Sequence, residues 1–206
     1  MPERITDLPL VTCTRLRRER PVQVVLVHGL FSNAAFWLPH LEQLGDFQLT
    51  LLGIDYAAVL GGGVALHVLA RQAEGLIGPA PAHLVAHSFG AIVGLHFTRQ
   101  WRSRTLICPT FAAASIDGAG FCAAIAARLG IDPSAAAPLV AQAIARKAAP
   151  LPAPRWSASD LVCLPVDDPY FDYAPPPGVA CRRYRGGHFD LSAPMAGLAR
   201  RLNEYA

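Results

Sequence analysis

Residues 22–27 (Val-Gln-Val-Val-Leu-Val) constrain the fold more than any other stretch. A near-continuous β-branched run of this kind suits a strand buried on both faces, which occurs in parallel sheets covered by helices. Similar runs recur at 47–54, 83–86, 105–108, 161–164 and 179–184. Helical patterns lie between them: 32–44, with Ser32 or Asn33 as the cap, then 64–76 and 91–99, with a last helix from about Pro194. Strand and helix in alternation predict an α/β fold with a mostly parallel sheet and helices on both faces. Residues 111–150 differ. They are Ala-rich, carry two helical patterns at 119–129 and 135–148 split by Asp132-Pro133, and read as a small helical lid inserted in a single domain spanning 1–206.

At 206 residues, with 52% hydrophobic and 16% charged side chains, the chain can bury one full core. A net charge of +3 gives no nucleic-acid footprint. Basic residues cluster at Arg15-Leu16-Arg17-Arg18-Glu19-Arg20 and at Arg182-Arg183-Tyr184-Arg185, and both clusters read as solvated strand ends, with docking of an acidic carrier or substrate as the alternative. Five scattered cysteines show no CxxC or Cys/His ligand spacing, so no metal site is expected. Cys108, Cys163 and Cys181 fall in apolar runs and read as small buried hydrophobes. The first residues carry charge where a signal peptide needs an apolar stretch, and no run of about eighteen apolar residues occurs. The expectation is a soluble, reduced, cytoplasmic protein without a membrane partner.

In a parallel sheet, sites form at the carboxyl ends of strands. Four such ends carry His28-Gly29, His87-Ser88, Asp167-Asp168 and Gly187-His188. In Ala86-His87-Ser88-Phe89-Gly90, small residues stand two before and two after the serine. They permit a tight strand-to-helix turn that exposes its hydroxyl beside a helix N-terminus. A serine needs a base to act as a nucleophile. His188, after a strand and two glycines, is the candidate; the other histidines lie within turn motifs, on helices or at a strand start. The orienting carboxylate is assigned to Asp168, with Asp167 in reserve and Asp172, Asp160 and Asp117 behind them. Oxyanion donors are expected from the backbone N–H of Phe89 and of Leu30, with Phe31 an alternative to Leu30. Each is worth about 3 kcal/mol in the transition state.

Val24-Val25-Leu26-Val27-His28-Gly29-Leu30, Phe36-Trp37, Leu84-Val85-Ala86-His87-Ser88-Phe89-Gly90-Ala91 and Gly186-Gly187-His188-Phe189 together resemble the α/β-hydrolase superfamily over nearly the whole chain. The resemblance implies an eight-stranded-type sheet, reduced in so short a chain, a Ser–Asp–His triad and no cofactor. Three departures stand out. Ala86 occupies the usual first glycine of the nucleophile motif. Tyr56-Ala57-Ala58 replaces the frequent proline-glycine-histidine-glycine loop. Leu164-Pro165-Val166 precedes the aspartates where a glycine is common. The expected activity is hydrolysis of an ester or thioester, free or carrier-linked, with a small apolar acyl group that suits the Ala-, Leu- and Phe-rich lid. The alternatives are acyl transfer, cyclisation or a lyase step on the same triad, and a binding protein that kept the scaffold.

Overall fold

A computed structural model describes residues 10–16, 20–148 and 156–206. Seven strands form one sheet: β1 (Val11–Leu16), β2 (Gln23–Val27), β3 (Gln48–Ile54), β4 (Ala82–His87), β5 (Ser103–Ile107), β7 (Leu161–Pro165) and β9 (Ala180–Tyr184). Their spatial order is β1-β3-β2-β4-β5-β7-β9, and every pairing is parallel except the edge pair β1–β3. Every residue of β2 and β4 is buried, as their unbroken apolar runs require. Burial of each Val, Leu or Ile side chain contributes about 1.5–3 kcal/mol. A second, two-stranded antiparallel sheet joins β6 (Ala113–Ile116) to β8 (Phe171–Tyr173).

The order of strands decides where a site can form. From β2 the chain moves to β3 on one side and then to β4 on the other. The loops after β2 and β4 therefore diverge, leaving a crevice beyond their carboxyl ends. Val27 pairs with Ala86, so His28 comes level with His87 at the ends of neighbouring strands and Ser88 follows one residue beyond.

The helices are α1 (Tyr56–Gly61), α2 (Leu66–Ile77), α3 (Phe89–Leu95), α4 (Gly118–Leu129), α5 (Pro133–Ala148), α6 (Ser192–Met195) and α7 (Leu198–Asn203). Asn33 caps the stretch Ala34–Leu44 by accepting from the Ala35 N–H, but this stretch is a 3₁₀ helix containing Pro39, not the expected α-helix. The helix after Ser88 ends at Leu95 rather than Arg99, and the final helix is broken into α6 and α7 by Gly197, whose φ is +76°. The Asp55-capped α1 replaces the missing glycine-rich loop. Cys108 and Cys163 are buried as expected; Cys181 is exposed, because β9 is an edge strand with four of its five residues facing solvent. Arg182 and Arg183 lie on that exposed edge. The first nine residues, Arg17-Arg18-Glu19 of the first basic cluster and the last two residues of the 111–150 segment fall outside the described residues. Among the described residues no helix is long and apolar enough to cross a membrane.

Candidate active site

Ser88 sits between β4 and α3 with φ +55° and ψ −123°, a backbone conformation that costs a non-glycine residue energy and must be held by its surroundings. Several contacts hold it. The Ser88 N–H donates to the Ile107 carbonyl at 2.9 Å. Behind the turn, Gly90 packs so closely on the end of β2 that a Cβ there would lie 2.3 Å from the His28 carbonyl oxygen. A Cβ on Gly29 would lie 2.8 Å from the Ser88 Cβ. The glycines at 29 and 90 thus let the two strand ends meet.

His28 fixes the loop that follows β2. Its Nδ1–H donates to the Gly29 carbonyl at 2.8 Å, and its Nε2 accepts the Ile54 N–H at 2.9 Å. Burial lowers its pKa to about 4, so the ring stays neutral and keeps this tautomer. The Tyr56 hydroxyl donates to the His28 carbonyl at 2.8 Å. Leu30 and Phe31 follow on this anchored loop, Phe31 with φ +59°. Phe89 is the first residue of α3, where a helix leaves its N–H without an intrahelical acceptor.

The Ser88 hydroxyl donates to Nε2 of His188 at 2.8 Å, although the residues are a hundred positions apart. The other ring nitrogen, Nδ1, lies 3.0 Å from Oδ2 of Asp168. A carboxylate only accepts, so Nδ1 carries the ring proton and Nε2 presents a lone pair to the serine. Oδ1 of Asp168 accepts the N–H of Tyr170 at 3.0 Å and of Phe171 at 3.2 Å. Ser88 is 4% exposed, His188 2%, and the Asp168 side chain 1%. The imidazole stacks on Phe171 (centroids 4.6 Å apart, planes 18° apart) and meets the edges of Phe121 and Phe189. In this dry surround each polar contact is stronger than in water.

The other aspartates are otherwise engaged. Asp167 is exposed, and its Oδ2 accepts the N–H of Gly186, whose φ of +132° opens the turn leading to His188. Asp160 is buried in an ion pair with Arg104. Asp117 caps α4, and Asp172 accepts from the Ser115 hydroxyl.

Two residues to which the sequence assigned no role touch the site. His87 is fully buried, stacks on Phe36, and donates Nε2–H to the His188 carbonyl at 2.8 Å. Burial and the adjacent His188 ring hold its pKa well below the usual histidine value, so it stays neutral. The Tyr173 hydroxyl lies 3.1 Å from His188 Nδ1, 3.2 Å from Asp168 Oδ2 and 3.4 Å from the Cys108 carbonyl. For His87, its place beside the serine was the available signal; for Tyr173, in a three-residue strand, there was none.

An apolar pocket opens beside Ser88, lined by Leu30, Ile116, Phe121, Val140, Ile144 and Phe171. The α4–α5 pair supplies one wall. On the other side of Leu30 lies a second pocket, bounded by Ser32, Asp55, Tyr56 and Leu139 of α5. Among the described residues no group of three or more His, Cys, Asp or Glu side chains is placed to hold a metal ion.

A family model for the alpha/beta hydrolase family matches residues 24–205. A search of curated protein sequences finds no match. Among solved structures, the fold is similar to the NocB thioesterase domain in covalent complex with a fluorophosphonate nocardicin G analogue. That likeness has 18% identity and a TM-score of 0.62, over 94% of this chain and 98% of that one. It is similar also to carboxylesterase CesB (YbfK) from Bacillus subtilis, at 13% identity and a TM-score of 0.61, over 95% of this chain and 87% of that one. A third similar structure is the bottromycin epimerase BotH, at 16% identity and a TM-score of 0.66, with 95% of each chain covered. With the family model spanning most of its length, this chain belongs to the alpha/beta hydrolase family.

Proposed function

We propose that the chain is a serine hydrolase that cleaves an ester or thioester of a small, largely apolar acyl group through an acyl-enzyme. The observation that carries this reading is the continuous hydrogen-bond path from the Ser88 hydroxyl through His188 to the Asp168 carboxylate. Ser88 Oγ attacks the acyl carbonyl while Nε2 of His188 takes its proton. Asp168 holds the ring in the required tautomer and stabilises the imidazolium. The N–H groups of Phe89 and Leu30 receive the developing oxyanion. His188 then protonates the leaving alcohol or thiol, and water activated by the same Nε2 releases the acid and restores Ser88.

The apolar pocket under α4 and α5 takes the acyl chain, and these two helices act as a lid on a single domain. Arg182 and Arg183, exposed on the strand that leads into the His188 turn, suit an acidic carrier bearing the acyl thioester. The similar solved structures include a thioesterase domain and a carboxylesterase, which supports acyl hydrolysis as the chemistry.

One observation favours a second reading. A site in which Ser88 and His188 are almost wholly withdrawn from solvent suits acyl transfer, cyclisation or a lyase step, because such steps must exclude water. A panel of p-nitrophenyl esters and acyl thioesters of increasing acyl length separates the two. The hydrolytic reading expects turnover of short apolar acyl groups, lost by about a millionfold in Ser88→Ala. A protein that forms the acyl-enzyme but passes it only to an added amine or alcohol supports the second reading.

A further inference from the structure

The proton inventory around His188 leaves one group without a role in the triad. Nε2 accepts the Ser88 proton, so the single ring proton is on Nδ1. That proton faces two acceptors at nearly equal distance: Oδ2 of Asp168 at 3.0 Å and the phenolic oxygen of Tyr173 at 3.1 Å. Tyr173 has one hydrogen of its own, with two acceptors in reach, Asp168 Oδ2 at 3.2 Å and the Cys108 carbonyl at 3.4 Å. The nearer acceptor carries the charge and takes the stronger bond. Burial, with the Asp168 charge beside it, pushes the Tyr173 pKa far above its ordinary value, so the phenol keeps its proton and remains a donor.

We propose that Tyr173 is a positioning residue for the Ser88–His188–Asp168 site, acting as the third corner of a hydrogen-bonded triangle. The inference rests on the triad reading above. The triangle completes the acceptor inventory of the buried carboxylate. Oδ1 holds the N–H groups of Tyr170 and Phe171, while Oδ2 holds the phenol and the imidazole. Its rotation is thereby blocked, and Oδ2 stays aimed at Nδ1. The placement is specific to Tyr173. Tyr184 and Tyr56, also buried nearby, have their hydroxyls against the Cys108 sulfur at 2.9 Å and the His28 carbonyl at 2.8 Å.

The local fold explains how a residue between the acid and the base in sequence comes to lie between them in space. Asp168 follows β7, the chain folds back as β8 against β6, and β9 then leads to His188. Phe171 and Tyr173 both point inward from β8, and the ring of Phe171 stacks on both His188 and Tyr173. The same strand therefore holds the base by its face and by its Nδ1 edge.

The test is a double-mutant cycle on the rate at which a fluorophosphonate labels Ser88, a readout that needs no knowledge of the substrate. Tyr173→Phe keeps the ring and its stacking and removes only the hydroxyl. It is expected to slow labelling about five- to tenfold, the scale of one net hydrogen bond. With an ester substrate the loss falls on kcat and leaves KM in place. Because the hydroxyl acts through the carboxylate, Tyr173→Phe in an Asp168→Asn background should slow labelling by no more than about twofold further. Losses that simply multiply, or a Phe variant labelled as fast as the native protein, overturn the proposal. Should Tyr173→Phe lose its thermal transition, 3-fluorotyrosine at 173 keeps the packing and strengthens the donor. It should shift the downfield NMR resonance of the His188 Nδ1 proton, and an unmoved resonance overturns the proposal. Native protein that is not labelled at all refutes the Ser88 reading itself, which is a different outcome.

Discussion

Gly90→Ala adds a single methyl group where the structure has no room for one. The new Cβ would lie 2.3 Å from the His28 carbonyl oxygen and 2.9 Å from that of Val27. Both are backbone atoms at the end of a fully buried strand, so neither can swing aside. To reach even 3.0 Å from His28 O, the turn and the strand end must part by roughly 0.7 Å, a typical overpacking strain of about 1–3 kcal/mol. For a chain of this size that lowers the melting temperature by about 2–4 °C per kcal/mol, or roughly 2–12 °C in all. The same displacement moves His28, and with it the anchored loop that presents the Leu30 N–H. A donor misplaced on this scale costs about a hundredfold in rate. Gly75→Ala in α2 is the control, since a Cβ there would meet nothing within 4 Å. Calorimetry and fluorophosphonate labelling on both variants read stability and site geometry separately. A Gly90→Ala protein that melts and reacts like the native one refutes the close-approach argument.

Three further outcomes follow from the same geometry. Asp168→Asn should slow turnover by about ten thousandfold with the fold intact, whereas Asp167→Ala, which removes only the partner of the Gly186 N–H, should cost less than about tenfold. The reverse ranking in steady-state kinetics would mean the acid was misassigned by one residue. Stability should depend on pH through buried neutral histidines: the pKa values of His28 and His83 are lowered from 6.5 to about 4 by burial, and that of His87 is held well below its usual value. The unfolded chain binds protons that the fold refuses. Stability is therefore full above pH 6.5 and falls as pH drops toward 4, by up to about 1.4 kcal/mol per pH unit for each histidine. Denaturant melts across that range should show this, with a slope shallower by one proton in His83→Gln. Finally, Ala143 lines the acyl pocket, so Ala143→Trp should cut kcat/KM for the longest tolerated acyl esters by about tenfold or more while sparing acetyl esters. Equal losses across the series would mean the acyl group lies elsewhere.

The parallel sheet was legible because burial on both faces leaves an unmistakable apolar run, as in Val24–Val27 and Leu84–Ala86. The strand-end residues Ser88, Asp168 and His188 were legible for a related reason. Polar side chains directly after such runs land at one edge of the sheet, and there the structure brings all three within hydrogen-bond distance. What escaped was set by tertiary context. β1 is an edge strand with one buried residue in six, so its pattern is too weak to read. Pro39 tightened a helical pattern into 3₁₀ geometry. Cys181 sits in an apolar run that an edge position leaves exposed. Asp167 and Asp168 are adjacent and chemically alike, and only the turn between β7 and β8 decides which one faces the ring. Tyr173 had no local signature, because its contacts are made with groups 5, 15 and 65 positions away.

The account depends on the hydroxyl at 88 being activated by the ring at 188, and one measurement addresses that directly. The protein is treated with a fluorophosphonate, and its intact mass and proteolytic peptides are read by mass spectrometry. The expected result is a single adduct on the peptide holding Ser88, absent in Ser88→Ala and strongly slowed in His188→Ala. An unmodified protein, an adduct on a different residue, or labelling indifferent to the loss of His188 would contradict it.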